Sequence, residues 1–196
     1  MEKAGAPYIH IDIMDGVFVK SSTWDHKLVA SLRKEVKLIL DTHLMIVEPE
    51  KHIDSYLDAG ADNLTVHYEA FEDKDLLIKT LKRIHSRGVK AGLSLKPKTS
   101  PELLSPYLPY CDLVLVMSVE PGEGGQEFLE ESLDKIAYFG SQRKKRNLSF
   151  LIEVDGGINF KTAKECAEKG VDILVSGSFL FGKEDYEDRL RRLMAL

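Results

Sequence analysis

Short apolar runs alternate with amphipathic segments along the whole chain. The runs are rich in Ile, Leu and Val and predict buried strands at 8–14, 38–46, 63–69, 91–96, 112–119, 150–155 and 172–176. Apolar residues spaced three or four positions apart predict helices at 25–36, 49–59, 73–87, 100–109, 127–141, 160–169 and 184–195. Several helices end at a glycine that a strand soon follows, as in "DAGADNLTVHY" and "EKGVDILVSG". The chain is therefore built from repeated helix–loop–strand units.

This strict alternation predicts a parallel sheet, either a doubly wound open sheet or a (β/α)8 barrel. No G-x-G-x-x-G follows the first strand, which argues against the dinucleotide-binding form of the open sheet. Polar residues also fall late in many strands, as they would around one shared barrel mouth. We therefore expect an α/β fold of the TIM (β/α)8 type, with residues 1–196 forming a single domain.

The predicted barrel has seven strands, one fewer than the eight that usually close it. The opening residues "MEKAGAP" resemble the last turn of a helix that ends at Gly5. By the logic of the repeat, the first strand and most of the first helix are missing from this sequence. Two strand edges are then expected to remain unpaired.

Composition narrows the class of protein. The chain is 43% apolar and 30% charged with a formal charge of −5, which disfavours a broad nucleic-acid or anionic-membrane surface as partner. Its apolar runs are too short to cross a membrane, and no secretory leader opens the chain. The two cysteines, Cys111 and Cys166, lie far apart, which disfavours a disulfide framework. We expect a cytoplasmic protein that can still bind a small anion in a local pocket.

Ionisable side chains lie on three of the predicted strands, where a buried strand is usually apolar. Strand alternation places His10 and Asp12 on one face of the first strand, opposite its isoleucines. His43 in "LILDTHLMI" and Asp155 in "FLIEVDGGI" are placed in the same way on two further strands. These side chains could form an interior polar layer whose members hydrogen-bond to one another. Because four buried ionisable groups repel or lose solvation, a shared cation explains them better, and the mixed donors favour Zn²⁺, Fe²⁺ or Mn²⁺.

Glycine-rich loops follow three consecutive strands, in "VEPGEGGQEF", "VDGGIN" and "VSGSFLFG". In any one loop the glycines could serve only the backbone conformation of a tight turn. Three such loops at one barrel mouth together predict backbone N–H groups that hold a phosphate. Three methionines, Met14, Met45 and Met117, fall near strand ends. They either fill the core or form an apolar floor beneath a reacting carbon.

A fourth strand also carries an inward histidine. His67 shares a face with Thr65 and Glu69 in "LTVHYE", and we expect it to support the interior layer rather than to bind the cation.

Six sequence blocks now identify a family. "YIHIDIMDGVFV", "HLMIVEP", "GLSLKPKT", "LVLVMSVEPGEGGQEF", "IEVDGGIN" and "VSGSFLFG" resemble, in this order, the blocks of the ribulose-phosphate 3-epimerase family, from about Ala4 to the C-terminus. The resemblance implies a metal-dependent isomerase of the pentose phosphate pathway. Its members convert D-ribulose 5-phosphate to D-xylulose 5-phosphate by two-carboxylate proton transfer through an enediolate.

The resemblance also implies roles for particular residues. One divalent metal ion (Zn, Fe, Mn or Co) would be bound by His10, Asp12, His43 and Asp155, and Asp12 and Asp155 would also be the catalytic acid and base. A sugar phosphate would contact the substrate-binding set His43, Met14, Met45, Met117, Gly122, Glu123, Gly124, Gly125, Gly156, Gly157, Gly177 and Ser178.

The chain departs from the family pattern at several points. The family's first strand bears a substrate-contacting serine that is absent here, Val17 and Lys20 replace a histidine and a proline, and Glu123 replaces a common aromatic residue. Two alternatives therefore stay open: a D-allulose-6-phosphate 3-epimerase, and a truncated, inactive sugar-phosphate-binding or interaction subunit. An exposed barrel seam would also favour a homo-oligomer.

Overall fold

A computed structural model describes residues 2–196 of the protein. The seven strands are β1 (Tyr8–Met14), β2 (Ile39–Met45), β3 (Asn63–His67), β4 (Lys90–Leu95), β5 (Leu113–Met117), β6 (Leu151–Asp155) and β7 (Ile173–Val175). The six α-helices are α1 (His26–Glu35), α2 (Ile53–Asp58), α3 (Lys74–Ser86), α4 (Ser132–Lys145), α5 (Phe160–Glu168) and α6 (Tyr186–Met194). Strands and α-helices alternate as the sequence predicts, except between β4 and β5, which are connected by two 3₁₀ helices.

The strands form one parallel sheet in the order β1-β2-β3-β4-β5-β6-β7. Each strand pairs with its neighbour in the chain, which is the topology of a TIM-type barrel, and the predicted fold class is confirmed. Within residues 2–196, β1 and β7 pair with no strand on their outer sides. We call the gap between these two edges the seam.

Strand alternation divides the core into two layers. Ile11 and Ile13 of β1 are buried in the large apolar cluster that joins the sheet to the helices. On β5 the alternate residues Leu115 and Met117 form a smaller cluster on the other face, together with Val119. The inward face of the sheet is therefore apolar around β5 and polar around β1 and β2, which positions the chemistry at one side of the barrel.

Three predicted helices differ from the observed structure. The segment 100–109 forms two short 3₁₀ helices, Pro101–Leu104 and Leu108–Tyr110, because the prolines at 106 and 109 cannot donate the hydrogen bonds of a continuous helix. The helix predicted at 127–141 begins only at Ser132, because the N–H of Leu129 donates to the carbonyl of Ser118 at 2.9 Å. Residues 127–131 therefore belong to the loop that follows β5.

The helix predicted at 49–59 is also shorter than expected, because Pro49–Lys51 form a 3₁₀ helix and α2 begins only at Ile53. The other boundaries lie close to those predicted. Glu2–Ala4 form a 3₁₀ turn that ends at Gly5, whose positive φ of 85° is the glycine-type termination expected there. The longest helix, α4, has 14 residues. Over residues 2–196 the structure contains no helix with the length and apolarity needed to cross a bilayer.

Candidate active site

Strand register brings the predicted ligand residues together. Asp12 of β1 is paired with His43 of β2, and Asp155 lies at the end of β6. One donor atom from each of His10, Asp12, His43 and Asp155 lies within 4.8 Å of the other three. Three separate strands therefore contribute two imidazoles and two carboxylates to one small volume.

The distances between these donors fit a single cation. His10 Nε2 and His43 Nδ1 lie 3.3 Å and 3.1 Å from the same atom, Asp12 Oδ1. Ligands bound at about 2.0–2.2 Å to one zinc-like ion lie roughly 3–3.5 Å apart from each other. His10 Nε2 is also buried and without a hydrogen-bond partner of good geometry among the described residues, as a nitrogen free to bind a metal would be. The donor set is thus suited to a divalent metal.

His10 is oriented by a carboxylate that sequence reasoning did not single out. Its Nδ1 lies 2.7 Å from Oδ2 of the buried Asp41, its neighbour across the β1–β2 pair, so Nε2 faces Asp12. Burial lowers the pKa of the ring, but the charge of Asp41, its hydrogen bond to His10 and the nearby carboxylate of Asp12 outweigh this effect. The pKa of His10 therefore lies well above its usual range in the metal-free chain.

The two predicted catalytic carboxylates differ in proton affinity. Burial favours protonation of Asp12, but hydrogen bonds and charge from His10 and His43 lower its pKa far below the usual value. Burial, opposed by the charge of His10 and aided by that of Asp12, raises the pKa of Asp155 to about 6. Two carboxyl groups whose pKa values are pushed apart are typical of a paired acid and base.

Behind these residues lies a buried acidic pair, Asp41 and Glu153. Both oxygens of Glu153 and Oδ1 of Asp41 have no hydrogen-bond partner among the described residues. Burial and the charge of Asp41 raise the pKa of Glu153 well above its usual range. Asp41 could have been found in the sequence, because it shares a strand face with His43, but its partner depends on the β1–β2 register.

His67 lies next to His43 and outside the four-residue cluster. Its Nε2 is 2.8 Å from His43 Nε2, and its Nδ1 is 3.2 Å from Glu69 Oε2. Burial lowers the pKa of His67 to about 4, so the ring is neutral at physiological pH. Burial favours protonation of Glu69, yet its hydrogen bonds to His67, Thr99 and the backbone of Lys96 lower its pKa to about 2. This placement agrees with the supporting position expected for His67.

A cavity of about 880 Å³ opens above the cluster and continues along the seam. It is lined by the predicted floor and loop residues Met14, Met45, Met117, Gly122, Glu123, Gly124, Gly125, Gly156, Gly157, Gly177 and Ser178. All residues predicted to contact substrate, apart from the buried His43, thus line the same cavity. Its size is in the range of small-molecule pockets.

Two glycines of the mouth have backbone conformations that demand glycine. Gly156 and Gly157 have φ values of 121° and 63°. A Cβ on Gly157 would lie 2.6 Å from the backbone nitrogen of Phe128, in the loop after β5. The buried hydroxyl of Ser118 lies within hydrogen-bond distance of the carbonyls of both Asp155 and Gly156, at 2.8 and 2.7 Å. The loops after β5 and β6 therefore hold each other in place, and Ser118 is a further residue that sequence reasoning missed.

The fold and the site together define a TIM-type barrel with a glycine-lined mouth and a candidate divalent-metal centre. The chain belongs to the ribulose-phosphate 3-epimerase family, because the family's sequence model, described as "Ribulose-phosphate 3 epimerase family", matches residues 1–181. The predicted family and enzyme class are thereby confirmed.

Curated relatives agree with this assignment. The ribulose-phosphate 3-epimerase of Chlamydia pneumoniae is 45% identical over 183 residues, which cover 92% of this chain and 79% of the relative. The enzyme of the same name from Synechocystis sp. (strain ATCC 27184 / PCC 6803 / Kazusa) is 42% identical over 190 residues, covering 97% of this chain and 82% of the relative.

Solved structures of other enzymes share the fold. A 3-hexulose-6-phosphate synthase superposes with a TM-score of 0.71 at 17% identity, covering 99% of this chain and 88% of that one. KGPDC from Streptococcus mutans gives a TM-score of 0.72 at 15% identity, with coverage of 97% of this chain and 84% of that one. At these identities the likeness concerns the barrel alone.

Proposed function

We propose that the protein interconverts D-ribulose 5-phosphate and D-xylulose 5-phosphate by inverting C3. The observation that carries the proposal is the meeting of two carboxylates of unlike proton affinity, Asp12 and Asp155, with two imidazoles below the glycine-lined mouth. The names of the curated relatives support the same substrate.

The reaction needs a base on one face of C3 and an acid on the other. In one direction Asp12, which is ionised, removes the C3 proton, and the bonding electron pair moves into the adjacent carbonyl to give an enediolate. Asp155, which holds a proton more readily, then protonates C3 from the opposite face. The two residues exchange roles in the reverse direction. Because only protons move and the substrate is neither oxidised nor reduced overall, no redox cofactor is required.

A single divalent ion, Zn, Fe, Mn or Co, would be bound by His10, Asp12, His43 and Asp155. When bound, it would polarise the ketone oxygen of the substrate and stabilise the negative charge that develops there. His43 would also contact the substrate. Met14, Met45 and Met117 would form the apolar floor beneath C3 and exclude water from the reacting carbon.

The glycine loops at the mouth would hold the phosphate. Gly122, Gly124, Gly125, Gly156, Gly157, Gly177 and Ser178 line the same cavity and lack bulky side chains that would keep an anion from the backbone N–H groups. Glu123 is exposed at this rim, where solvent screens its charge, and the cost to phosphate binding is small. Remote phosphate binding would orient the sugar for proton transfer.

Replacing Gly157 by alanine tests the phosphate loops. The new Cβ would contact the Phe128 backbone nitrogen, at a φ that alanine rarely adopts, so the loop must shift. A shift of about 1 Å can cost roughly 10²-fold in rate, and we expect kcat/KM to fall by about this factor, chiefly through KM. Gly140→Ala in α4, where a Cβ makes only ordinary contacts, is the matched control. Unchanged kinetics in a folded Gly157→Ala variant would contradict the phosphate assignment.

A direct assay separates the candidate substrates. We expect the metal-replete protein to epimerise D-ribulose 5-phosphate with a kcat/KM about tenfold or more above that for D-allulose 6-phosphate, because the longer sugar must fit the same floor-to-phosphate span. The reverse preference would assign the protein to the hexose substrate.

The open seam favours a second candidate, an inactive sugar-phosphate-binding or interaction subunit, which would bind both sugars and turn over neither.

We further propose that residues 1–196 act as one domain and that the protein is cytoplasmic and homo-oligomeric. One apolar cluster connects the sheet with helices from both ends of the chain, which supports a single domain. The unpaired edges of β1 and β7, with the exposed Phe181 and Met194 on the adjoining cavity wall, support self-association.

A further inference from the structure

We infer that His67 and Glu69 are positioning residues that decide which nitrogen of His43 is free to bind the cation. The inference rests on the proposed metal centre and extends it by two residues. A histidine ligand must present an unprotonated nitrogen, and the hydrogen bond made by its other nitrogen fixes which one that is.

The three side chains form a chain of contacts that ends at the half-buried Glu69. His43 Nε2 and His67 Nε2 are 2.8 Å apart, and both residues are fully buried. His67 Nδ1 lies 3.2 Å from Glu69 Oε2. Between the two facing imidazole nitrogens there is room for only one proton, so one ring must donate and the other must accept.

The carboxylate end of the chain determines the direction of these hydrogen bonds. Glu69 Oε1 accepts from the backbone N–H of Lys96 at 2.7 Å and from the hydroxyl of Thr99. Since an ionised carboxylate can only accept, His67 donates its Nδ1–H to Oε2 and is left with a bare Nε2. His43 must then donate its Nε2–H to His67. This leaves Nδ1 as the nitrogen that can bind the cation; without a cation it lies 3.1 Å from Asp12 Oδ1, which can only accept a hydrogen bond.

An aromatic ring packs over the middle of this chain of hydrogen bonds. The ring of Phe18, in the loop after β1, packs against His67 with a centroid distance of 4.9 Å. Lys96 Nζ lies 3.9 Å from the centroid of the same ring. Both imidazoles are fully buried and have no other partner at these nitrogens among the described residues, so the direction set at Glu69 is transmitted to His43.

The substitution Glu69→Gln would reverse the direction of these hydrogen bonds while keeping a side chain of the same size. The fixed N–H donor of Lys96 would keep the amide oxygen of the glutamine at the Oε1 position, which turns the amide NH₂ towards His67. His67 Nδ1 would then accept, its Nε2 would carry the proton, and His43 would be protonated at Nδ1. The nitrogen that faces Asp12 would no longer be free to bind a cation.

Histidine tautomers can be read directly in the metal-free protein by proton–nitrogen correlation NMR of the imidazole rings. In the wild-type chain we expect the proton of His67 on Nδ1 and a proton on Nε2 of His43. In Glu69→Gln we expect the proton of His67 on Nε2 and none on Nε2 of His43. Affinity for Zn²⁺ alone, measured by titration calorimetry, should fall by about 10–100-fold in Glu69→Gln. Thr99→Val, which removes one donor to Glu69 but keeps the carboxylate, should leave both tautomers unchanged.

Wild-type His67 protonated at Nε2 would overturn the inference, as would a Glu69→Gln variant with unaltered tautomers and Zn²⁺ affinity. If that variant does not fold, the wild-type spectrum alone decides. A wild-type chain with the expected tautomers that neither binds Zn²⁺ nor turns over substrate would refute the proposed metal centre but leave the hydrogen-bond chain established. Normal activity with the opposite tautomers would refute the inference about His67 and Glu69 but leave the proposed metal centre standing.

Discussion

Changing Asp155 to asparagine is expected to lower kcat for D-ribulose 5-phosphate by about 10²–10⁴-fold, the range attributed to general acid–base catalysis. The side chain lies with the other three candidate ligands, and burial raises its pKa to about 6, so it alternates readily between acid and base. The amide keeps the shape of the carboxyl group but can neither give nor take the C3 proton. A coupled assay of epimerisation in the metal-replete variant measures the loss.

The control for Asp155→Asn is Asp134→Asn, the same chemical change at an exposed position in the first turn of α4. It should retain wild-type kcat. Exchange of the C3 proton with solvent deuterium adds a second readout, since a protein that retains only one functional carboxylate can still exchange from one face. An Asp155→Asn variant with wild-type kcat would refute the two-carboxylate mechanism.

Removal of divalent metal is expected to abolish epimerisation and to destabilise the fold. Without a cation, Asp12 and Asp155 lose the charge that compensates their proximity. A ligand at about 100 times its Kd contributes about 2.7 kcal/mol of stability, which corresponds to a change in Tm of roughly 5–10 °C for a domain of this size. Chelation followed by readdition of Zn²⁺, Fe²⁺, Mn²⁺ or Co²⁺, with kcat and Tm followed together, tests both effects.

The pH dependence of this binding has a definite sign. In the metal-free chain the raised pKa values of His10 and Asp155 mean that both hold protons more tightly than usual, and a cation must displace those protons. Affinity for metal should therefore weaken as pH falls through about 6, where Asp155 takes up its proton.

Full activity at a metal content far below one ion per chain would contradict the metal requirement.

The sequence predicts the strands well because apolar β-branched runs and glycine-terminated helices are local signals. It also predicts the inward faces of β1, β2 and β6, since strand alternation depends only on neighbouring residues. His10, Asp12, His43 and Asp155 could therefore be selected from the order of residues alone, and the fold places their donor atoms within 4.8 Å of one another.

The missed features depend on contacts between distant segments. Asp41 meets His10 only because the β1–β2 register pairs these two residues, and register is not encoded in either strand alone. Residues 127–131 have helical periodicity, yet the hydrogen bond from Leu129 to Ser118 holds them as part of the mouth. The hydrogen bonds that link His43 to His67 and His67 to Glu69 likewise depend on side-chain geometry across neighbouring strands and a loop.

The central claim is that one divalent cation is bound jointly by His10, Asp12, His43 and Asp155. Anomalous diffraction at the absorption edge of the metal, from crystals of active, metal-replete protein, locates the ion directly. The account predicts one peak per chain at coordinating distance from all four side chains. A peak held by other residues, or crystals of fully active protein with no peak at this cluster, would contradict it.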